Sequence, residues 1–150
     1  MDTPLRAYFD VLVRHETQLW TLVEQQLRQA DGAVSLGRLE ILRVIGSVDV
    51  CRVQDIADRL HITVGATSRL TDRLEADGLV ARSPHPADRR SSKIELTASG
   101  RRAIEATEPL VDRALTELIG AVGGDGLAAL TASLHHVNAF IAPATQKEKD

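Results

Sequence analysis

Aromatic residues are nearly missing from this chain: one Trp, one Tyr and two Phe in 150 residues. The core must then be packed from aliphatic side chains. A surface built on base stacking, which needs exposed aromatic platforms, is disfavoured. Cysteine is scarcer still. Cys51 stands alone, which excludes an intramolecular disulfide framework. No window approaches the roughly 18 apolar residues that mark a membrane-spanning helix. The N-terminal MDTPLRAYFD has no basic region followed by an apolar run, so the expectation is a cytoplasmic chain without a signal peptide. Also absent are a nucleophile elbow, a glycine-rich phosphate loop and a metal motif. The glycine-rich run 123–126 follows a helical pattern rather than a strand. Neither catalysis nor a cofactor is expected.

What is present suits one domain with a core: apolar residues are 43% of the chain and charged residues 26%. The net charge of −3 is unevenly spread. Between positions 59 and 93 the cations Arg59, Arg69, Arg73, Arg82, Arg89, Arg90 and Lys93 face the anions Asp72, Glu75, Asp77 and Asp88. That is an excess of three positive charges, which leaves −6 for the remainder. A basic segment on an acidic body attracts phosphates locally.

Asp2-Thr3-Pro4 is a helix start, a capping residue followed by proline in the first turn. Leu5, Phe9, Leu12, Leu19, Val23 and Leu27 then recur at helical spacings, predicting a long amphipathic helix that ends near Asp31-Gly32. Ser35 caps a second helix, with Leu36, Leu39, Leu42 and Ile45 on one face and Gly46 at its end. Val53, Ile56, Ala57 and Leu60 mark a short third helix. His61-Ile62 is the turn after it, and Thr63 the cap of a fourth.

In that fourth helix Ala66, Leu70 and Leu74 stand at i, i+4 and i+8 and are expected in the core. At about 100° per residue, the opposite face carries Val64, Gly65, Ser68 and Asp72, flanked by Arg69 and Thr71. Small residues let a backbone come close to base edges, while Ser, Thr and Arg bond to bases or phosphates. The alternative for Arg69 and Arg73 is pairing with nearby carboxylates on a solvated surface.

Asp77-Gly78 stops the helix. Leu79-Val80-Ala81-Arg82 and Lys93-Ile94-Glu95-Leu96 suit two paired strands, with turn-forming residues between them. Two arginines, Arg89 and Arg90, at the tip of such a hairpin could enter a minor groove, and Asp88 could hold one of them. Thr97-Ala98-Ser99-Gly100 opens a fifth helix, and Leu127, Leu130, Leu134, Val137 and Ile141 mark a last one. The fold class is therefore mainly α with a small β-hairpin wing. A winged helix-turn-helix lobe covers about 35–97, and long helices over about 4–30 and 97–142 complete a single domain.

On the stretches VQDIADRL, TVGATSRLTDRLEADGLVAR and DRRSSKIELTASG, the chain resembles the MarR family of bacterial transcriptional regulators. The last stretch matches that family's D-x-R, a Leu-Thr pair and a Gly three residues later, here Asp88, Arg90, Leu96, Thr97 and Gly100. The resemblance implies a homodimer whose terminal helices interleave as the dimerisation frame. Its partner is double-stranded DNA, and its two winged lobes read the halves of a near-palindromic operator about one DNA turn apart. It further implies a ligand-responsive repressor whose effector is a small phenolic or other amphipathic compound. The fourth helix, positions 63–77, becomes the recognition helix, and Arg90, with Arg89 beside it, goes to the minor groove.

The candidate DNA contacts are thus Thr63, Val64, Gly65, Thr67, Ser68, Arg69 and Arg73 on the helix, with Asp88, Arg89 and Arg90 on the wing. Candidate ligand residues come from helix facing alone: Tyr8, Leu12, His15, Leu39 and Arg43. Two departures stand out. Gly65 sits where the family often has a helix starter such as Pro. The peroxide-sensing branch keeps a reactive Cys near the start of the first helix, where this chain has none, so Cys51 reads as a small buried hydrophobe.

Other readings stay open. A metal- or redox-responsive regulator of the same fold could draw on His15, Glu16, His135 and His136, but their spacing matches no zinc site, and no metal is expected. A winged-helix protein–protein module would need large apolar anchors on the exposed face of the fourth helix, where only Val64 qualifies.

Overall fold

The computed structural model describes residues 3–84, 86, 87 and 92–146. Among them the elements run α1 (Pro4–Leu27), α2 (Leu36–Ser47), α3 (Val53–Leu60), α4 (Val64–Ala76), β1 (Val80–Pro84), β2 (Ser92–Leu96), α5 (Ala98–Ile119), a 3₁₀ turn (Gly120–Val122) and α6 (Gly124–Gln146). This is the expected order, mainly helical with one hairpin.

Hydroxyl caps set three of the helix starts. Thr3, Ser35 and Thr63 each accept a hydrogen bond from the backbone N–H three residues on, in Arg6, Arg38 and Ala66. Each cap satisfies one of the donors that a first turn leaves unpaired. Between α3 and α4 the chain turns through His61, which takes a left-handed conformation at φ 53°. Its neighbour Ile62 donates its N–H back to the Ala57 carbonyl at 3.1 Å, closing α3 in two residues.

The chain divides into two compact units, residues 1–114 and 115–150, with the division inside α5. The core of the first unit joins Ile41, Leu42, Val44 and Ile45 of α2 to Ile56 of α3, Leu74 of α4, Val80 of β1, Ile94 of β2 and Ala103 of α5. Cys51 completes it, and no aromatic side chain takes part. Burying each large aliphatic side chain contributes about 1.5–3 kcal/mol, and the α2–α3–α4 stack rests on this cluster.

The hairpin pairs β1 and β2 in antiparallel register from Val80 opposite Leu96 to Pro84 opposite Ser92. The stretch before α3 is a turn at Asp49-Val50 that ends in a bridge. There Cys51 pairs with Ile94, whose N–H donates to the Cys51 carbonyl at 2.8 Å. The wing is thereby fastened to the start of the helix-turn-helix.

Polar side chains hold the remaining elements to that stack. Glu24 of α1 accepts the Leu36 N–H at 2.9 Å, placing a carboxylate at the positive end of α2. The buried Thr107 hydroxyl of α5 accepts the Val34 N–H at 3.1 Å and donates to the Ala103 carbonyl at 2.7 Å. In the second unit α6 presents Leu130, Leu134, Phe140 and Ile141 as exposed side chains. None of the described helices is long and apolar enough to cross a membrane.

Candidate nucleic-acid interface

Six consecutive residues at the front of α4, from His61 to Ala66, are exposed. Thr63, Val64 and Gly65 therefore lie where the sequence placed them, on an open surface, and a methyl added at Gly65 would meet nothing within 4 Å. Ser68 is half-buried at the edge of that surface, and Arg69 and Arg73 are exposed along it.

Thr67 does not belong with them. It is fully buried, as is Thr71, and with Leu74 they form the inward stripe of α4. Ala66, expected in the core, is exposed. The buried face is thus turned by one residue from the one that apolar periodicity suggests. Threonine permits this because its hydroxyl is satisfied within the helix. Thr67 donates to the Thr63 carbonyl at 2.9 Å and Thr71 to the Thr67 carbonyl at 2.8 Å, leaving the methyl groups to pack. Thr67 supports the surface from behind and offers it no hydroxyl.

The carboxylates of α4 and its C-cap, Asp72, Glu75 and Asp77, have partners from outside the helix. Arg82 of β1 reaches Glu75 Oε2 through Nη1 at 2.6 Å and Asp72 Oδ1 through Nη2 at 2.7 Å. Its backbone N–H also donates to Glu75 Oε1 at 3.2 Å. Asp77, the C-cap of α4, pairs with Arg38 of α2. Lys93 pairs with Glu95 along β2 at 2.7 Å, and that hydrogen bond holds the Glu95 carboxyl below its usual range. Arg69 and Arg73 have no ion pair among the described residues. The pairing with nearby carboxylates that the sequence left open for them is not seen among the described residues. Asp88, Arg89 and Arg90 lie outside the described residues.

Residues 34–92 match the family model described as MarR family. The HTH-type transcriptional regulator YdgJ of Bacillus subtilis (strain 168) is 29% identical over 97 residues, covering 65% of this chain and 59% of YdgJ. Wild-type MarR from E. coli in its apo form is 25% identical with a TM-score of 0.75, covering 91% of this chain and 98% of that one. A mutant of the same E. coli protein, complexed with operator DNA, reaches a TM-score of 0.80 at 24% identity, over 89% and 94% of the two chains. The chain is thus similar to the MarR family over residues 34–92 and shares the fold of the MarR structures. Members of that family are transcriptional regulators and not enzymes. This chain spans about six-tenths of the length of the first curated relatives it matches. BpsR of Bordetella bronchiseptica, whose DNA binding is regulated by 6-hydroxynicotinic acid, shares the fold at 21% identity and a TM-score of 0.77, over 88% and 98% of the chains.

The Leu-Thr-x-x-Gly part of the wing motif has a physical basis in this chain. The Thr97 hydroxyl donates to the Gly78 carbonyl at 2.7 Å and accepts the Gly100 N–H at 3.0 Å. It thereby closes the hairpin and caps α5 together. Gly100 lies so close to Leu79 that a Cβ there would overlap the Leu79 carbonyl oxygen.

The residues assigned to a ligand by facing are not gathered into one cavity. Leu39 is fully buried, while Tyr8 and His15 are exposed on α1 and Leu12 is half-buried there. Arg43 is held by Glu40 at 2.8 Å and by Glu108 of α5 at 3.0 Å. Burial would lower its pKa, but the bonds to Glu108 and Glu40 outweigh that and raise it. A cavity of about 260 Å³ opens elsewhere, between α2 and α4, lined by Ser35, Gly37, Arg38, Ile41, Leu70, Arg73 and Leu74. Among the described residues, no three His, Cys, Asp or Glu side chains gather as metal ligands would.

Proposed function

We propose that this chain is a transcriptional regulator, a cytoplasmic repressor that binds a near-palindromic operator as a homodimer and leaves it when a small effector binds. The observation that carries the DNA reading is the front of α4. It is exposed and largely small and polar, with Arg69 and Arg73 in no ion pair among the described residues. The back of the same helix is fixed by Thr67, Thr71 and Leu74. A rigid helix with an open first turn and unneutralised guanidinium groups is what major-groove entry requires.

The operator complex of the E. coli MarR mutant, which shares this fold, supports the same use. The wing arginines Arg89 and Arg90 and their companion Asp88 are assigned to the adjacent groove by the motif alone. For the effector, BpsR with 6-hydroxynicotinic acid favours a small aromatic compound. Tyr8, Leu12, His15, Leu39 and Arg43 remain its proposed contacts, to be completed by a second copy of the chain.

Footprinting the purified protein on its own promoter, with and without phenolic acids, tests the whole reading. Protection of two half-sites about one turn apart is expected, weakened by the effector. In the same assay Arg69→Ala should weaken binding and lower the slope of log K against log salt by about 0.9 for each phosphate no longer neutralised. If Arg69→Ala leaves both affinity and slope untouched, α4 is not the reading element.

A further inference from the structure

The charges on α4 could neutralise one another, and they do not. Asp72 stands three residues after Arg69, and Asp77 stands four residues after Arg73. These are the spacings at which side chains meet on a helix surface. Yet Asp72 is taken by Arg82 of β1 at 2.7 Å, and Asp77 by Arg38 of α2. Arg82 is the better held of the two outside partners. It grips Glu75 as well as Asp72, its own N–H is bound to Glu75, and its side chain is only 23% exposed. A guanidinium so immobilised by two carboxylates loses little further freedom on binding Asp72. Arg69, exposed and without such a second anchor, would lose more freedom to make the same pair.

We infer that Arg82 and Arg38 are positioning residues for α4: by holding Asp72 and Asp77 from outside the helix, they keep Arg69 and Arg73 free to meet phosphates. A guanidinium already paired with a carboxylate releases no condensed counterions from DNA, so it contributes little to salt-dependent affinity. The consequence for affinity rests on the DNA-binding reading above. The exchange of partners does not.

The test begins with the salt dependence of operator binding by the wild-type chain. Arg82→Gln should then bind on the order of tenfold more weakly, with the slope of log K against log salt reduced by about 0.9 for each phosphate left without its arginine. In a crystal structure of R82Q, the Asp72 carboxylate should turn to Arg69. The double variant R82Q/D72N should recover the wild-type slope, because the carboxylate that captured Arg69 is gone. A purely structural role for Arg82 would not be rescued by removing its partner. Arg38→Gln with Asp77→Asn makes the same comparison for Arg73, and decides the matter if R82Q does not fold. Unchanged slopes in R82Q and R38Q, or weakened binding that D72N and D77N fail to restore, overturn the inference. A wild-type chain without salt-dependent DNA retention overturns the DNA reading instead, and the R82Q structure still decides whether Asp72 changes partner.

Discussion

Cys51 shows how far one side chain's surroundings settle its chemistry. It is fully buried between α3 and the wing, where it bridges Ile94. Burial, helped by the negative charge of Asp55, pushes its thiol from 9.0 up to about 11. The thiolate is the reactive form, so the native protein at neutral pH should be alkylated by iodoacetamide far more slowly than the denatured chain. Equal rates in the two states would show that the site opens freely. The same shift links to stability. The fold favours the protonated thiol, so that contribution is intact below pH 9 and is lost as pH rises towards about 11. Urea midpoints should therefore fall over that window, and Cys51→Ala should flatten the decline. The sequence made the hydrophobic character of Cys51 readable. It did not make Thr67 and Thr71 readable, because a threonine in the core of a helix looks polar until its hydroxyl is seen bonded to the carbonyl four residues back.

Between elements, the decisive contacts join residues that no local pattern pairs. Helix caps and apolar periodicity made the order of α1 to α6 legible, because those signals lie within a few residues of each other. The clamp of Arg82 on Asp72 and Glu75 was not legible, since it depends on how β1 folds back against α4. Gly100 falls between these cases: the motif flagged it, and only the packing explains it. In an open helix Gly→Ala gains up to about 1 kcal/mol. At Gly100 the added methyl would meet a backbone carbonyl, and forced overpacking of that kind costs about 1–3 kcal/mol. The clash should win. Gly100→Ala is expected to lower the melting temperature by several degrees, on the order of 2–4 °C per kcal/mol for a chain of this size. Gly37→Ala, where the methyl meets nothing within 4 Å, should not lower it. Circular dichroism melts of the two variants check both statements, and a Gly100→Ala protein as stable as the wild type would mean that α5 shifts away at no cost.

At the scale of the whole molecule, the exposed apolar surface asks for a partner. On α1, Leu5 is 81% exposed, Phe9 56% and Val11 67%. In the second unit, α6 leaves Leu130, Phe140 and Ile141 at 50% or more. Scattered apolar residues on a surface are ordinary, but runs along whole helices mark association sites. The free guanidinium groups of a single α4 give a second reason. One lobe that meets few phosphates binds weakly at physiological salt, whereas two linked lobes gain roughly 10²–10⁴-fold from effective concentration alone. Dimerisation and tight operator binding should therefore fail together. Phe9→Glu, which places a charge on the apolar side of α1 without touching α4, is expected to sediment as a monomer. It should lose affinity for a two-half-site operator by roughly 10²–10⁴-fold while keeping the wild-type affinity for an isolated half-site. Phe140→Glu makes the same test on α6. A monomeric variant that still held the full operator at wild-type affinity would separate the two properties, and α1 and α6 would then need another partner to cover them.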